Sequence, residues 1–276
     1  MQRPFAQVDV FTTAPGLGNP LAVVLDAAGL AASEMQRFAR WTNLSETSFV
    51  VPTDDPDADY AVRIFTPDAE LPFAGHPTLG TCHAWLEAGG RPRDPARIVQ
   101  ACPAGLIEIR RQGGGLAFAA PPLRRSGQVD EADLTAIAAG LNLARADILD
   151  AAWADNGPGW VAVLLRDADA VLAVQPGAVP LDVGLVGFYP PASRAAVELR
   201  ALYPQGGLTV EDPVTGSLNA SVAGWLLGTG RIAAPYVASQ GLAIGRAGRV
   251  EVTQDDDGRV FVGGRTITVV RGTVDL

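Results

Sequence analysis

Two short segments place a glycine and polar side chains at the predicted start of an apolar helix. They are Gly75-His76-Pro77, within "PFAGHPTLGTCHAWL", and Thr215-Gly216-Ser217, within "EDPVTGSLNASVAGWLL". A helix start leaves about four backbone N–H groups without partners inside the helix, and the helix dipole favours a negative group there. Pro77 suits the first helical turn, where its missing N–H costs nothing. The two segments together predict a socket for a small carboxylate.

The alternative interpretation is that the two glycines only turn the chain. A glycine also lets a ligand approach the backbone closely, because no side chain is in the way. The occurrence of the same pattern in both halves of the sequence favours Gly75 and Gly216 as binding positions.

Acidic and imidazole side chains accompany these segments. Glu46 interrupts the apolar and hydroxylic stretch "NLSETSFV", where the alternative is an ordinary glutamate at a strand end. The helix dipole disfavours the imidazolium form of His76, which favours a neutral hydrogen-bonding group, or simply a helix cap. Asp212 precedes the second segment, in which Thr215 or Ser217 could alternatively be a capping residue.

Several other kinds of site are excluded or disfavoured. The sequence contains no lysine, which excludes a side-chain Schiff base and the lysine of a nucleotide-binding P-loop. His76 and His83 are about 10 Å apart along a helix, too far for easy shared metal ligation, so we expect His83 to be a core histidine. "TGSLN" lacks both glycines of the nucleophile-elbow motif, and no glycine-rich nucleotide fingerprint follows a strand.

Strand-like runs separated by turns dominate the elements that must position these residues. A capping box at Ser33 and Gln36 predicts one helix, and further helices are expected near 130–140 and 194–203. The two apolar helices have no polar face and must be enclosed, each within a curved sheet. "PPLRRSGQVDEAD", residues 121–133, is interpreted as a domain linker.

Composition limits the class of protein and its partners. The 276 residues are 48% hydrophobic and carry a formal net charge of -9, so neither nucleic acid nor an anionic membrane surface is an expected partner. The opening residues lack the apolar core of a signal peptide, and no run is long enough to span a membrane. Two cysteines provide no disulfide framework, so a cytoplasmic location is expected.

Four motifs in order, "VDVFT…GNPLAVV", "NLSETSFV", "RIFTPDAELPFAGHPTLGT" and "EDPVTGSLNAS", resemble the phenazine biosynthesis PhzF-like isomerase family. The resemblance is strongest in residues 8–82 and 207–224, and loose in residues 122–200 around "NGPGW". It implies an α+β, diaminopimelate epimerase-like fold. In that fold two similar domains are each a mostly antiparallel β-barrel around a central α-helix, with the active site in the interdomain cleft.

The domain bounds that follow are 1–121 for the first domain, completed by a C-terminal strand at 266–276, and 130–265 for the second. The resemblance further implies catalysis without cofactor or metal, and a homodimer.

Carried over by motif, the family's catalytic residues fall on Glu46, His76, Asp212 and Ser217. Gly75, Thr215 and Gly216 are the accompanying substrate-binding candidates. The local departure from the motif is Leu218, where small residues are common, and we expect it to crowd the second helix start. Two-thiol relatives such as diaminopimelate epimerase and proline racemase have a cysteine at each helix start, where this chain has His76 and Ser217.

The resulting hypothesis is a cofactor-free isomerase that moves a proton on a small carboxylic acid by general acid/base catalysis. Glu46 would be the base and then the acid. Two alternatives stay open: a non-catalytic carboxylate-binding protein on the same scaffold, and an amino-acid racemase or epimerase.

Overall fold

In the computed structural model all 276 residues are described, and they form five α-helices and eighteen β-strands. Contacts along the backbone group the chain into two units. Unit 1 comprises Met1–Ala119 with Gly263–Leu276, and unit 2 comprises Ala120–Val262. None of the helices is long and apolar enough to cross a lipid bilayer.

The elements of the first 119 residues are β1 (Gln2–Val10), β2 (Asn19–Val24), α1 (Ala32–Thr42), β3 (Thr47–Val51), β4 (Tyr60–Phe65), β5 (Glu70–Leu71), α2 (Gly75–Glu87), β6 (Arg97–Cys102), β7 (Gly105–Gln112) and β8 (Gly115–Ala119). Those that follow are β9 (Arg125–Gln128), α3 (Glu131–Gly140), β10 (Asp150–Asp155), β11 (Val161–Leu164), α4 (Ala168–Ala173), β12 (Val183–Phe188), β13 (Val197–Gln205), β14 (Leu208–Asp212), α5 (Gly216–Gly228), β15 (Tyr236–Gln240), β16 (Gly248–Gln254), β17 (Val260–Gly264) and β18 (Thr266–Asp275).

Unit 1 is a mostly antiparallel sheet that curves around α2. Its strands pair in the order β18, β1, β2, β3, β4, β6, β7 and β8, with β5 also on β4; only the β2–β3 and β4–β6 pairs are parallel. Helix α2 contacts β18 and β1 at one end of this order and β8 at the other. The sheet therefore encloses the helix.

Close packing in unit 1 depends on a glycine in the middle of α2. A Cβ at Gly80 would stand 2.6 Å from Cδ2 of Leu21 and 2.9 Å from Cγ2 of Val10. Contacts that short do not occur between real carbon atoms, so only glycine lets α2 approach β1 and β2 this closely.

Unit 2 repeats most of this pairing pattern. Its strands pair in the order β9, β10, β11, β12, β13, β15 and β16, with β14 also on β13; the β11–β12 and β13–β15 pairs are parallel. Helix α5 takes the place of α2, and nine of the thirteen residues are buried in each helix. The predicted α+β class with two similar halves around apolar helices is confirmed.

The predicted linker at 121–133 differs from what is observed. Residues 125–128 form strand β9, which pairs antiparallel with β10 just as β18 pairs with β1. The Pro-, Gly- and charge-rich composition that suggests a linker reflects the exposure of β9, all four of whose residues are exposed. An exposed strand gains its order from its partner, which composition does not show.

The predicted helix near 194–203 is wrong, because residues 197–205 form β13. The polar residues that resembled the outer face of an amphipathic helix are buried within the sheet. The guanidinium of Arg200 forms an ion pair with Glu211, with 2.7 Å between Nη2 and Oε2, and the carboxylate of Glu198 accepts a hydrogen bond from Tyr189. Arg200 is therefore charge-paired in the interior, and Glu198 is hydrogen-bonded there rather than solvated.

The predicted capping box at Ser33 is also wrong in register. Helix α1 begins at Ala32, and the side chain of Glu34 accepts the backbone N–H of Ala31 at 2.8 Å. The Gln36 amide instead donates to the carbonyls of Thr66 and Pro67. A tertiary contact thus uses the side chain that a local pattern assigns to capping.

Candidate active site

The start of α2 presents a buried, glycine-led turn. The first hydrogen bond inside the helix runs from the N–H of Thr78 to the carbonyl of Ala74 at 3.1 Å, and Pro77 has no N–H. Gly75 is the first helical residue, a conformation that any residue can adopt. A turn therefore does not require glycine here, which favours the interpretation that a ligand approaches the backbone.

His76, the second residue of α2, lies between an amide and a carboxylate. Its Nε2 is 3.4 Å from Oε2 of Glu46, which follows α1 and directly precedes β3. Its Nδ1 is 3.4 Å from Nδ2 of Asn19, at the start of β2. Because an amide NH₂ group donates, this contact fits the tautomer in which Nδ1 accepts and the ring proton lies on Nε2, on the side of Glu46; at 3.4 Å Nε2 and Oε2 are close but not hydrogen-bonded.

The imidazole of His76 is neutral at physiological pH. Only 5% of the residue is exposed, and burial lowers the pKa of His76 from 6.5 to about 3. Desolvation penalises the charged form, so burial is the main cause of the neutral state that the helix dipole alone predicts. His76 is therefore a neutral imidazole beside the Glu46 carboxylate, and the two side chains do not form an ion pair.

The start of α5 presents a matching turn with different side chains. Asp212 is the last residue of β14, and the hydroxyl of Thr215 donates to its Oδ2 at 2.5 Å. The first hydrogen bond within the helix runs from the N–H of Asn219 to the carbonyl of Thr215 at 3.0 Å. The side chain of Thr215 makes no capping bond, so its hydroxyl serves Asp212 instead.

Ser217, the second residue of α5, is held by the segment 156–160. The indole Nε1 of Trp160 donates to Oγ of Ser217 at 3.1 Å, and the Asn156 amide donates to the Ser217 carbonyl at 3.1 Å. Because the hydroxyl oxygen already accepts the indole N–H, the hydroxyl hydrogen is directed elsewhere. One acceptor position of the Ser217 hydroxyl is thus used, and its hydrogen is left to donate to another group.

Leu218 does not crowd the helix start, contrary to expectation. The residue is fully buried, and a Cβ added to Gly184 of β12 would stand 2.3 Å from Cδ1 of Leu218. The larger side chain is accommodated in the core of unit 2 because the facing strand has a glycine there.

Two other residues lie away from these helix starts. His83 is not the core histidine expected, because 20% of its side chain is exposed; its Nε2 is 3.1 Å from Oγ1 of Thr268 and 3.5 Å from Glu87. Cys82 is fully buried, and burial raises the pKa of its thiol to about 12. A thiol that stays protonated is a poor base, so Cys82 is unsuited to racemase chemistry.

The structure places Glu46 and His76 together in unit 1, and it places Asp212, Thr215, Gly216 and Ser217 together in unit 2. The sequence analysis overlooks the neutral side chains that contact them, among them Asn19, Asn156 and Trp160. The motif strings "GNP" and "NGPGW" contain these residues, but neutral amides and indoles do not form a charge pattern or a recognisable spacing. Only the tertiary contacts identify them.

Comparison with known proteins places the chain in a family. The PhzC-PhzF family, described as phenazine biosynthesis-like protein, matches residues 8–272. Trans-2,3-dihydro-3-hydroxyanthranilate isomerase from Pseudomonas chlororaphis is 36% identical, with 98% of each chain covered. Antisense-enhancing sequence 1 from Schizosaccharomyces pombe is 33% identical, again with 98% of each chain covered.

Solved structures show the same architecture. The PhzF-family phenazine biosynthesis protein of Bacillus anthracis superposes with a TM-score of 0.84 over 100% of both chains, at 24% identity. That likeness confirms the fold, and the curated relatives that carry an enzyme name are isomerases. With two similar barrel-like halves, a glycine-led helix start in each and a family match over almost its whole length, the chain belongs to the PhzC-PhzF family and is an isomerase.

Proposed function

We propose that the enzyme moves a proton between carbon atoms of a small unsaturated carboxylic acid, without a cofactor. The observation that carries the proposal is the carboxylate of Glu46 held 3.4 Å from Nε2 of a buried, neutral His76 at a helix start. A positioned acid/base group typically contributes about 10²- to 10⁴-fold to a rate.

Glu46 is the proposed general base. It removes a proton from one carbon of the substrate, and the electron pair of the broken C–H bond shifts into the conjugated system of the acid. The protonated Glu46 then returns the proton to a different carbon, so the double bond moves and the atoms balance. A carboxylate has no use in a pure anion-binding site, which favours catalysis over the non-catalytic alternative.

His76 is the proposed neutral partner of this base. The hydrogen on Nε2 can donate to Glu46 or to a substrate oxygen without adding a positive charge. An imidazolium would instead favour the ionised form of Glu46 and make it a weaker base. The lowered pKa of His76 keeps its imidazole neutral over the physiological pH range.

Backbone N–H groups at the helix starts are the proposed carboxylate-binding groups, with Gly75 and Gly216 leaving space for it. Asp212 and Ser217 enter the proposal through the family motif, as groups that orient the substrate or carry a proton. Both N–H and hydroxyl of Thr215 already donate within unit 2, to Gln240 and Asp212. We therefore propose that Thr215 orients Asp212 rather than binding substrate directly.

Trans-2,3-dihydro-3-hydroxyanthranilate, named for the relative from Pseudomonas chlororaphis, is the first substrate to test. An amino-acid racemase is the second candidate. It is disfavoured because the two helix starts carry His76 and Ser217 where two-thiol enzymes carry cysteines, and because the thiol of Cys82 is buried.

Solvent exchange tests the proposal. The enzyme is incubated in D₂O with trans-2,3-dihydro-3-hydroxyanthranilate and a panel of unsaturated and amino carboxylic acids, and NMR detects deuterium on carbon. We expect deuterium on the new carbon position of an unsaturated acid. Exchange only at the α-carbon of an amino acid, with inversion, would establish the racemase instead, and binding without any exchange would establish a binding protein.

Glu46→Gln should slow the exchange by about 10²- to 10⁴-fold while binding measured by calorimetry is retained. Glu70→Gln is the matched control in the same unit, because Glu70 is paired with Arg63 at the surface. Full activity of Glu46→Gln would show that another group moves the proton.

A further inference from the structure

A buried glutamine holds the turn between β14 and α5. Gln240, the last residue of β15, is fully buried. Its Oε1 accepts the backbone N–H of Thr215 at 3.0 Å and the Asn219 amide at 2.9 Å. Its Nε2 donates to Oγ1 of Thr215 at 2.9 Å and to the carbonyl of Asp212 at 3.2 Å. All four donor and acceptor positions of the side-chain amide are therefore used.

These partners fix the direction of every hydrogen bond in the cluster. Rotating the Gln240 amide by half a turn would set its NH₂ group against two N–H donors, so only one orientation is compatible with the contacts. The hydroxyl of Thr215 then receives a hydrogen bond from Gln240, and its own hydrogen points to Oδ2 of Asp212 at 2.5 Å. Oδ2 is consequently an acceptor.

We propose that Gln240 is a positioning residue that acts on Asp212 through the Thr215 hydroxyl. The chain from amide to hydroxyl to carboxylate keeps Asp212 in its hydrogen-bond-accepting form and in one orientation at the start of α5. This inference rests on the proposed function, in which Asp212 assists proton transfer. A neutral amide can do this without adding a charge beside the carboxylate.

Unit 1 contains a matched residue that lacks the carboxylate. Gln100, on β6, is also fully buried; it accepts from the Tyr60 hydroxyl at 3.0 Å and donates to the Thr78 hydroxyl at 3.0 Å. Thr78 and Asn219 each occupy the fourth position of their helix. Gln100 therefore supplies a control with the same burial and the same place in the fold.

A double-mutant cycle tests whether Gln240 acts through Thr215. Turnover is measured by deuterium exchange, using the panel compound that the wild-type enzyme turns over fastest, for Gln240→Met, Thr215→Val and the double variant. We expect each single variant to lower kcat by roughly tenfold, with KM changed less than about threefold. The double variant should be no slower than the slower single variant.

Effects that multiply to roughly 100-fold in the double variant would overturn the proposal, because two independent contributions behave that way. Gln100→Met should cost comparable thermal stability and leave kcat within about threefold of wild type. If Gln240→Met lowers kcat only as far as Gln100→Met does, the residue is structural and the inference is wrong.

Two further variants keep the test decisive. If Gln240→Met does not fold, Gln240→Glu preserves the shape and replaces the donor Nε2 with an oxygen. Its kcat relative to wild type should rise as pH falls from 8 to 5.5, because a protonated carboxyl regains a donor beside Asp212. A ratio independent of pH contradicts the proposal.

Asp212→Asn distinguishes failure of the proposed function from failure of this inference. Full activity of Asp212→Asn rejects the proposed role of Asp212. Lost turnover in Asp212→Asn with an unaffected Gln240→Met rejects only the inference about Gln240.

Discussion

The starts of α2 and α5 use the same backbone and different chemistry. Each helix begins at a buried glycine, follows a short strand and has its fourth residue hydrogen-bonded to a buried glutamine from the next strand. The second helical position is an imidazole in unit 1 and a hydroxyl in unit 2. The fold thus supplies twice a helix start of the kind that suits an anion, and we propose that single side chains decide what each start does.

The carboxylates near the two helix starts also face different groups. Glu46 faces the Nε2 of a neutral ring, while Oδ2 of Asp212 accepts from a hydroxyl that a fixed amide orients. Unit 1 therefore has the composition of a proton-transfer centre. Unit 2 has the composition of an orienting surface, in which the Gln240 amide and the Thr215 hydroxyl already have assigned partners.

Among single changes at the two helix starts, replacing the imidazole should give the largest effect and test this division directly. We expect His76→Asn to lower kcat by about 10- to 100-fold, because the neutral donor beside Glu46 is lost, with a smaller change in KM. Ser217→Ala is the matched change at the other helix start and should cost less. Steady-state kinetics with the exchanging acid give both values, and a larger loss in Ser217→Ala would reverse the assignment of the two units.

Adding a methyl group to the first helical residue should have an intermediate effect. Gly216→Ala is expected to raise KM about tenfold, or about 1.4 kcal/mol, because the methyl group stands where a carboxylate approaches the backbone. Comparing it with Gly75→Ala shows which start contributes more to binding. Gly228→Ala, at the far end of α5, is the control, because a Cβ there meets nothing within 4 Å. Unchanged KM in both helix-start variants would mean that the carboxylate is bound elsewhere.

The pH dependence of stability should show the most specific difference. The pKa of His76 is about 3 in the folded protein, against an ordinary value of 6.5 in an unfolded chain, so between those values the unfolded chain binds the proton and the folded protein does not. Stability is therefore lost as pH falls below 6.5. Relative to His76→Asn, the wild-type free energy of unfolding should drop by about 2 kcal/mol between pH 7 and pH 5.

Urea unfolding at the two pH values measures this difference. The unfolding free energy of His76→Asn must be subtracted from that of wild type at each pH. Burial raises the pKa of Asp182 to about 6, which makes the folded protein more stable as pH falls and so opposes the effect of His76. His83→Asn is the comparison variant: burial also lowers the pKa of His83, but Glu87 partly opposes it, so its effect on the pH dependence should have the same sign and be smaller. If wild type and His76→Asn respond equally to pH, His76 is not held neutral by burial.

The failures of sequence reasoning have one physical cause. Strand β13 resembles a helix because Glu198 and Arg200 suggest a polar face, and β9 resembles a linker because all its residues are exposed. In both cases the partner strand decides the structure. Helix α1 likewise begins at Ala32, two residues before the first helical position that a Ser33 cap would give, and Gln36 instead donates to a carbonyl distant in sequence.

The sequence by itself determined the apolar helices, the glycines at their starts and the acidic and imidazole residues beside them. These are local patterns, set by periodicity, backbone conformation and side-chain type. Only the tertiary structure decided which nitrogen of His76 carries the proton, why its ring is neutral, and that Gln240 directs the hydroxyl of Thr215. Those properties depend on desolvation and on hydrogen-bond partners from distant strands, and neither quantity is encoded at a single position of the chain.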